Sequence, residues 1–463
     1  MQADTVIENV TVVSHDRSFV GGVAIRDGRI SALAEGTEQL PPAKHVVDGR
    51  GKHLLPGLVD AHMHLNYPHD GDLGDNLRSE TASSAAGGVT TLIHLLLAPD
   101  GLMRRAREFV AEYEKHAYVD LNMTAAIFSA EDVEAIPDLI AFGMPAVKFL
   151  IPYRGGESLP GMPGINDGII YLGMRKIAEM AAAGYRVFAR AHTENVEIFE
   201  ARKAEYLKRE DQDFQWGDVR DKICEIDSLA HCLHLSAQLK CPLYVVHMTV
   251  GEGPAMIAKA RGEGVDVVAE TCPQYLALTK NEPYGRILGK VNPPLRDRWD
   301  NERLWEGLAN GSVSVVGTDH APCRKVHKQE FWTAWVGMAA VETMLPVMLS
   351  EGVAKGRLSL EKVVEVCCYN PARIYGLAPR KGMIAVGSDA DLVLVDLAKR
   401  VTVDHRNLHS SADYCVYDGW TMTGWPVATW VRGTQVMDDG KIVGTPGLGR
   451  WIAADVSPRG RAS

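Results

Sequence analysis

Six side chains that can bind metal ions or transfer protons stand at the ends of short apolar runs. The run LLPGLVDAHMH ends in His62 and His64, and their i, i+2 spacing places both side chains on one face of an extended strand. The other four are Lys148 in MPAVKFL, His192 in YRVFARAH, His247 in CPLYVVH and Asp319 in SVSVVGTDH. A single histidine at a strand end is usually structural, but five such runs in order along the chain indicate one shared site.

Histidine and aspartate suit Zn²⁺ or a similar divalent ion bound through nitrogen and oxygen. Two neighbouring ions would polarise a carbonyl group and lower the pKa of a shared water toward neutrality. Lys148 cannot bind a metal as an ammonium, but a buried neutral amine can add CO₂ to form a carbamate whose two oxygens could bridge two ions. The eight cysteines show no paired CxxC spacing, which argues against a zinc-thiolate site and favours reduced thiols in a cytoplasmic protein.

These strand ends can meet only if an architecture brings parallel strands together. From residue 56 to 378, short apolar strands alternate with helical stretches such as LGMRKIAEMAAAG, which predicts a TIM-like (β/α)₈ barrel with its chemistry at the carboxyl ends of the strands. Both chain ends instead alternate apolar and polar residues around Asp-Gly turns at 27–28 and 439–440. We therefore predict an α/β protein in which residues 1–55 and 379–463 (the latter with a tail) form a small β-sandwich, and residues 56–378 form the metal-dependent catalytic barrel.

Composition excludes several other classes of protein. The 463 residues are 46% hydrophobic and 23% charged, which is typical of a globular enzyme and not of a disordered chain. The net charge of -10 argues against a nucleic-acid partner. No run approaches the roughly 20 apolar residues that span a bilayer, and no secretory signal opens the chain, so we expect no membrane partner and a cytoplasmic location.

Motifs spread over nearly the whole chain resemble the cyclic-amide branch of the amidohydrolase superfamily, which includes hydantoinases, dihydropyrimidinases, allantoinases and dihydroorotases. Beside DAHMH and GTDHAP, the matching segments are AHTEN (191–195), ETCPQYL (270–276), NPPLRD (292–297), NPARIYGL (370–377) and GSDADLVLVD (387–396). The resemblance implies a barrel plus sandwich that hydrolyses a ring C–N bond. Hydantoin or a dihydropyrimidine would open to an N-carbamoyl amino acid through a hydroxide activated by two metal ions.

The resemblance also assigns roles to the six strand-end residues. His62 and His64 would bind the more buried ion, and His192 and His247 the more exposed one. Lys148, carboxylated by CO₂, would bridge both ions, and Asp319 would complete the site. Zn²⁺ is the first expectation for the metal, with Mn²⁺ and Co²⁺ sharing the same ligands. Asp319 would also be the catalytic base that takes the proton of the attacking hydroxide and gives it to the leaving nitrogen.

Four further residues are candidate substrate contacts. Tyr153 matches the hydantoinase tyrosine that donates a hydrogen bond to the developing oxyanion. Asn292 and Val336 align with positions that hold the ring amide through their backbone, although both side chains depart from the commoner residues there. Leu65 belongs to a set of apolar residues expected around the exocyclic substituent, whose other members are Tyr67, Leu95 to Leu97 and Leu150. The glycine- and proline-rich stretch 154–164 reads as a mobile lid.

Several alternatives stay open at this point. Asn66 stands where dihydroorotases carry an arginine that holds the substrate carboxylate, which disfavours that activity. An allantoinase or another cyclic ureide or imide hydrolase remains the main alternative. A mononuclear deaminase and a non-catalytic scaffold are weaker candidates, because the former needs no strand-end lysine and the latter would lack metal ligands. The family resemblance further implies a homo-oligomer, a tetramer or a dimer, acting on a small molecule.

Overall fold

The computed structural model describes residues 2–36, 39–67, 71–155, 163–282, 284 and 286–457. The strands in this part of the chain are β1 Ala3–Val13, β2 Ser18–Arg26, β3 Arg29–Glu35, β4 Ala43–Asp48, β5 His53–Pro56, β6 Leu58–Met63, β7 Val89–Leu96, β8 Asp120–Ala126, β9 Ala146–Leu150, β10 Phe188–His192, β11 Leu243–Val245, β12 Val267–Thr271, β13 Val315–Val316, β14 Leu392–Thr402, β15 Thr421–Val431, β16 Thr434–Asp438 and β17 Lys441–Ile442.

The helices occupy the connections of the middle segment. They are α1 Leu73–Ala86, α2 Leu102–His116, α3 Ala130–Glu134, α4 Ile136–Phe142, α5 Asp167–Ala182, α6 Val196–Tyr206, α7 Trp216–Val219, α8 Lys222–Leu239, α9 Gly253–Gly262, α10 Pro273–Ala277, α11 Arg298–Asn310, α12 Met344–Val347, α13 Leu360–Val364 and α14 Asn370–Ile374, with π-helical turns at Met348–Val353 and Glu365–Tyr369. Polar side chains start several of them: Asn166, for example, accepts the backbone N–H of Ile169 at 3.1 Å and caps α5. No helix in the described ranges is both long and apolar enough to cross a bilayer.

Strands β6 to β13 pair in sequential order to form a parallel eight-stranded sheet. A parallel bridge between Met63, at the end of β6, and His320, just beyond β13, brings the two edges of this sheet together. Every residue of β6, β7, β8, β9 and β10 is buried, as expected for strands covered on one side by helices and filled on the other by side chains. The predicted barrel is confirmed, and its strands all end on one face.

The two chain ends build a second, nine-stranded sheet in the order β17-β16-β15-β14-β5-β1-β2-β3, with β4 also pairing with β1. The N-terminal and C-terminal parts of this sheet are joined by the antiparallel pairing of β5 with β14, in which Leu392 faces Pro56 and Val395 faces His53. Apolar residues from both ends, including Ile7 and Trp430, share one buried core. The predicted sandwich of both termini is therefore confirmed as part of the fold class, while the exact domain limits stay predictions.

A buried ion cluster ties the C-terminal segment to the barrel at the end opposite the strand-end ligands. Lys381 is fully buried, and its Nζ lies 2.5 Å from Asp120, 2.6 Å from Asp391 and 3.0 Å from Asp389. Asp120 begins β8, so one ammonium joins the barrel to the segment that leads into β14. The chain beyond the sheet also packs there, because the backbone of Ile452 donates to the carbonyl of Leu121 at 2.8 Å.

Candidate metal and active site

The barrel strands bring all six predicted metal-binding residues to one place. A cavity that is partly open to solvent lies at the carboxyl ends of the strands, and its walls include five of the six residues: His64, Lys148, His192, His247 and Asp319. The sixth, His62, is completely buried beneath them. These residues come from β6, β9, β10 and the chain directly after β6, β11 and β13, so the local pattern of apolar runs is converted into a three-dimensional cluster.

The distances within the cluster are short enough for these side chains to bind the same metal ions. His62 Nε2 lies 2.6 Å from Lys148 Nζ and 3.4 Å from an oxygen of Asp319. The same oxygen lies 3.0 Å from His64 Nε2. The rings of His192 and His247 have centroids 4.3 Å apart, and the His247 ring is 5.3 Å from that of His62. One nitrogen or oxygen of each of His62, His64 and Asp319 lies within 4.8 Å of the others, a grouping that fits a metal ion.

Two of these residues depend on a backbone conformation that side chains other than glycine seldom adopt. His247 has a φ of 39° and Asp319 a φ of 50°. Such left-handed conformations cost about 1–3 kcal/mol and cluster at functional sites. Here they turn the chain sharply after β11 and β13, which aims both side chains into the cavity in place of continuing the alternation of a strand.

Burial favours the neutral forms of the nitrogen donors in the cluster. It lowers the pKa of His64 and His192, and it lowers the pKa of His62 and His247 well below the ordinary value. Burial, with the nearby Arg190 guanidinium, also lowers the pKa of Lys148 to about 7. Neutral imidazoles have the lone pair that a metal requires, and a neutral amine can react with CO₂. The donor set therefore fits divalent ions.

Two buried carboxylates that orient the histidines were not assigned a role from the sequence. Glu270 lies 2.8 Å from His62 Nδ1 and accepts the backbone N–H of His247 at 3.0 Å. Glu194 lies 2.6 Å from His192 Nε2 and accepts a hydrogen bond from Arg220 at 2.8 Å. Each carboxylate fixes a tautomer, which leaves a lone pair on Nε2 of His62, beside Lys148, and on Nδ1 of His192. Both glutamates lie in segments that carried the family resemblance, AHTEN and ETCPQYL, which was the available signal.

The candidate substrate contacts divide into two groups. Tyr153, Asn292 and Val336 line the cavity, and the edge of the Tyr153 ring meets the His192 ring at a centroid distance of 5.4 Å. Leu65 is placed differently from its prediction, because it is buried in the main hydrophobic core and is not among the described residues that line the cavity. Tyr67, the other member of the expected apolar set in the chain after β6, does line the cavity. The predicted lid falls largely on residues 156–162, outside the described ranges.

A closed parallel barrel with neutral histidines, a lysine and an aspartate at its strand ends defines the class of metal-dependent barrel hydrolases. The amidohydrolase family model matches residues 160–442. L-hydantoinase of Paenarthrobacter aurescens is 32% identical over 97% of this chain and 98% of its own, and D-phenylhydantoinase of Escherichia coli O7:K1 is 31% identical over 96% and 97%. The chain belongs to the amidohydrolase family, and the assignment to its cyclic-amide branch is confirmed.

Solved structures agree with this placement. An L-hydantoinase (dihydropyrimidinase) from Arthrobacter aurescens matches with a TM-score of 0.89 and 31% identity, covering 97% of this chain and all of its own. A dihydropyrimidinase from Brevibacillus agri matches with a TM-score of 0.88 and 26% identity, covering 98% of this chain and 99% of its own. Membership of the family implies an enzyme that uses a divalent metal and a small-molecule substrate, for which His62, His64 and Asp319 offer a fitting group.

Proposed function

We propose that this protein hydrolyses the C–N bond of a neutral cyclic amide, opening a hydantoin or dihydropyrimidine ring to an N-carbamoyl amino acid. The observation that carries the proposal is the convergence of six donor residues on one cavity whose histidines are held neutral by burial. The names of the relatives, L-hydantoinase and D-phenylhydantoinase, support the same substrate class.

Two divalent ions would be held by this set, Zn²⁺ first and Mn²⁺ or Co²⁺ as alternatives. His62 and His64 would hold the buried ion, His192 and His247 the more exposed ion, and carboxylated Lys148 both. Nδ1 of His247 is buried with no hydrogen-bond partner in the described part of the chain, as expected for a residue poised to bind a further group. When bound, such a pair polarises a carbonyl and lowers the pKa of a water molecule.

The protein's own residues would then move the protons. The Asp319 carboxylate faces the centre of the cluster, where it can accept a proton from the attacking water and return it to the leaving ring nitrogen. Tyr153 would donate its hydroxyl to the carbonyl oxygen as negative charge develops there. Burial raises the pKa of this phenol, so it keeps its proton at neutral pH. The backbones of Asn292 and Val336 would hold the ring amide.

The cavity walls favour a neutral ring with an apolar substituent. Leu95, Leu97 and Leu150 line the cavity, together with Tyr67. Apart from Lys148 and the histidines, no basic side chain of the described chain lines the cavity, so a substrate carboxylate such as that of dihydroorotate would have no partner there. Allantoin and cyclic imides remain compatible with the metal site and belong among the tested substrates.

A metal-supplemented activity screen tests the proposal directly. Hydantoin, 5-substituted hydantoins, dihydrouracil, allantoin, dihydroorotate and succinimide would be offered to the protein with Zn²⁺, Mn²⁺ or Co²⁺. We expect ring opening of a hydantoin or of dihydrouracil, and fastest turnover for an apolar substituent. A protein that binds two ions and opens none of these rings would refute the hydantoinase or dihydropyrimidinase assignment.

The carboxylated lysine needs its own test. We expect Lys148→Ala to lose bound metal and activity, because the bridging group disappears. Lys328→Ala is the matched control: Lys328 is also buried and burial lowers its pKa to about 8, but its Nζ donates to the carbonyls of Leu288 and Lys290 outside the cluster. Two metals per chain and full activity in Lys148→Ala would contradict the proposal.

The assembly and location of the protein are two further proposals. We propose a homo-oligomer, either a tetramer or a dimer, because the family resemblance implies one. Sedimentation analysis would determine the number of subunits. A cytoplasmic location is consistent with eight cysteines that are all buried and form no disulfide.

A further inference from the structure

The side chain of Asn292 has a fixed orientation at the cavity wall. Asn292 is only 4% exposed, and its Oδ1 accepts a hydrogen bond from Trp216 Nε1 at 2.9 Å. An indole N–H can only donate, so the oxygen of the carboxamide must point toward Trp216 and the nitrogen must point away from it. The direction of the Asn292 Nδ2 group is therefore set by chemistry and does not depend on which way round the amide is drawn.

Trp216 cannot move aside to relax this arrangement. It is 3% exposed and opens α7, and its ring meets the rings of Phe199 and Phe331 edge-on at 5.5 Å and 5.8 Å. The ammonium of Lys290 lies 4.2 Å from the centre of its ring. A buried indole held on several sides acts as a rigid anchor for the carboxamide.

The free end of the carboxamide is a donor without an acceptor. Asn292 Nδ2 is buried and has no hydrogen-bond partner among the described residues, and Asn292 lines the cavity. Leaving such a donor unsatisfied costs about 1–3 kcal/mol, which a ligand oxygen would recover. The Tyr153 hydroxyl is near enough for the carboxamide to act on it as a hydrogen-bond donor, which lowers the pKa of that phenol against the larger, opposite effect of burial, but the contact falls short of a formed hydrogen bond. Two side-chain donors thus lie beside each other on one wall.

We infer that Asn292 Nδ2 donates a second side-chain hydrogen bond to the oxygen of the scissile carbonyl, beside the Tyr153 hydroxyl, and that Trp216 is the residue that positions it. The inference rests on the ring-opening function proposed above. It adds a side-chain hydrogen bond to the backbone contact expected at position 292, and it assigns a role to the asparagine that stands there in place of the commoner residue. The preferred substrate is a ring whose scissile amide oxygen can accept two hydrogen bonds.

Steady-state kinetics with hydantoin and 5-phenylhydantoin test the inference. Asn292→Asp keeps an oxygen for Trp216 but removes the donor, so we expect kcat to fall about 100-fold with KM within about two-fold, because the bond strengthens as charge develops. Trp216→Phe keeps the donor but frees its orientation, and we expect kcat to fall about 10-fold. The matched control is Trp305→Phe, which removes a similarly buried indole whose Nε1 donates to the Leu276 carbonyl, and its kcat should stay near wild type.

The double variant separates positioning from simple destabilisation. If Trp216 acts only through Asn292, adding Trp216→Phe to Asn292→Asp lowers kcat no further, whereas independent damage would multiply. Additive losses, an unchanged kcat in both single variants, or a raised KM with unchanged kcat would each overturn the inference. If Asn292→Asp fails to fold, Trp216→Phe alone still decides. A wild-type protein that opens neither ring nor any other substrate of the screen refutes the proposed function and this inference together, whereas an active wild type with unaltered variants refutes this inference alone.

Discussion

Glu270→Gln should weaken metal binding while leaving the metal-free protein at least as stable as the wild type above pH 7. Glutamine keeps an oxygen that can accept from His62 and from the His247 backbone, and its amide N–H can donate to Tyr244, whose hydroxyl donates to the carboxylate at 2.7 Å in the wild type. The substitution therefore preserves the geometry and removes the charge.

The magnitude follows from two opposing effects on that charge. Arg190 lies 3.8 Å away, an attraction of about 4 kcal/mol at an effective dielectric constant of about 20. Burial is the larger effect, because it raises the pKa of Glu270 from 4.5 to about 7 in spite of Arg190. A carboxyl whose pKa is raised on folding stabilises the fold only while protonated, so wild-type stability falls by about 3 kcal/mol as pH rises from about 4 to above 7. Glutamine cannot ionise and avoids this loss.

The metal affinity of Glu270→Gln should be lower than that of the wild type. The carboxylate that fixes the His62 tautomer typically contributes 10–100-fold to metal binding, equivalent to about 1.4–2.7 kcal/mol. Chelator-treated protein would be unfolded in urea at pH 5 and pH 8, and Zn²⁺ affinity would be measured by competition with a chromophoric chelator.

Glu225→Gln serves as the matched control for this substitution. Glu225 is equally buried beside Arg296, at 3.3 Å, and burial raises its pKa, but the residue contacts none of the histidines. It should change the pH dependence of stability without changing Zn²⁺ affinity. Unchanged Zn²⁺ affinity in Glu270→Gln, or a loss of several kcal/mol at pH 8, would refute the reasoning.

Three further predictions concern other buried charges. Zn²⁺ uptake by chelator-treated protein should require bicarbonate and rise as pH passes about 7, the pKa of Lys148, and uptake indifferent to bicarbonate would count against the carbamate. Lys381→Met should lower the free energy of unfolding by about 3–5 kcal/mol in urea titrations, because three buried aspartates lose the cation that they share, although Arg432 and Arg380 still pair with Asp120 and Asp389; a change below about 1 kcal/mol would contradict this. For Glu194, burial raises the pKa, but Arg220 and His192 bring it down to about 2, so it stabilises the fold above pH 4–5 and this stabilisation, about 3 kcal/mol, is lost as pH falls toward 2. Glu194→Gln should remove that part of the acid dependence in the metal-free protein, and an unaltered pH profile would disprove the assignment.

The barrel and the convergence of the candidate metal-binding residues could be predicted because their signals are local. An apolar run that ends in His62 and His64, or in His192, carries both the strand and the chemistry at its end within a few residues. Parallel barrels then place all such ends on one face, so no long-range contact had to be guessed. The Asp-Gly turns at 27–28 and 439–440 likewise encode their hairpins locally, between β2 and β3 and between β16 and β17.

The remaining features depend on contacts between distant parts of the chain. Glu270 acts on His62 from a strand 208 residues away, so its motif was visible while its role was not. Leu65 was expected beside Tyr67 in the cavity wall, but the course of the chain after β6, which no local pattern records, buries it in the main core. In the cluster around Lys381, the ammonium pairs with Asp120 across 261 positions of the chain, and such a contact leaves no periodic trace in the sequence.

The pairing of β5 with β14 has a consequence for the order in which the molecule is made. The ribosome delivers residues 53–56 more than 330 residues before their partners at 392–395. Throughout that interval the edge of β5 that later pairs with β14 is an open row of backbone donors and acceptors, of the kind that pairs with strands of other chains. The growing chain must therefore protect this edge, by early barrel packing or by a chaperone, until the last fifth of the polypeptide emerges and seals it.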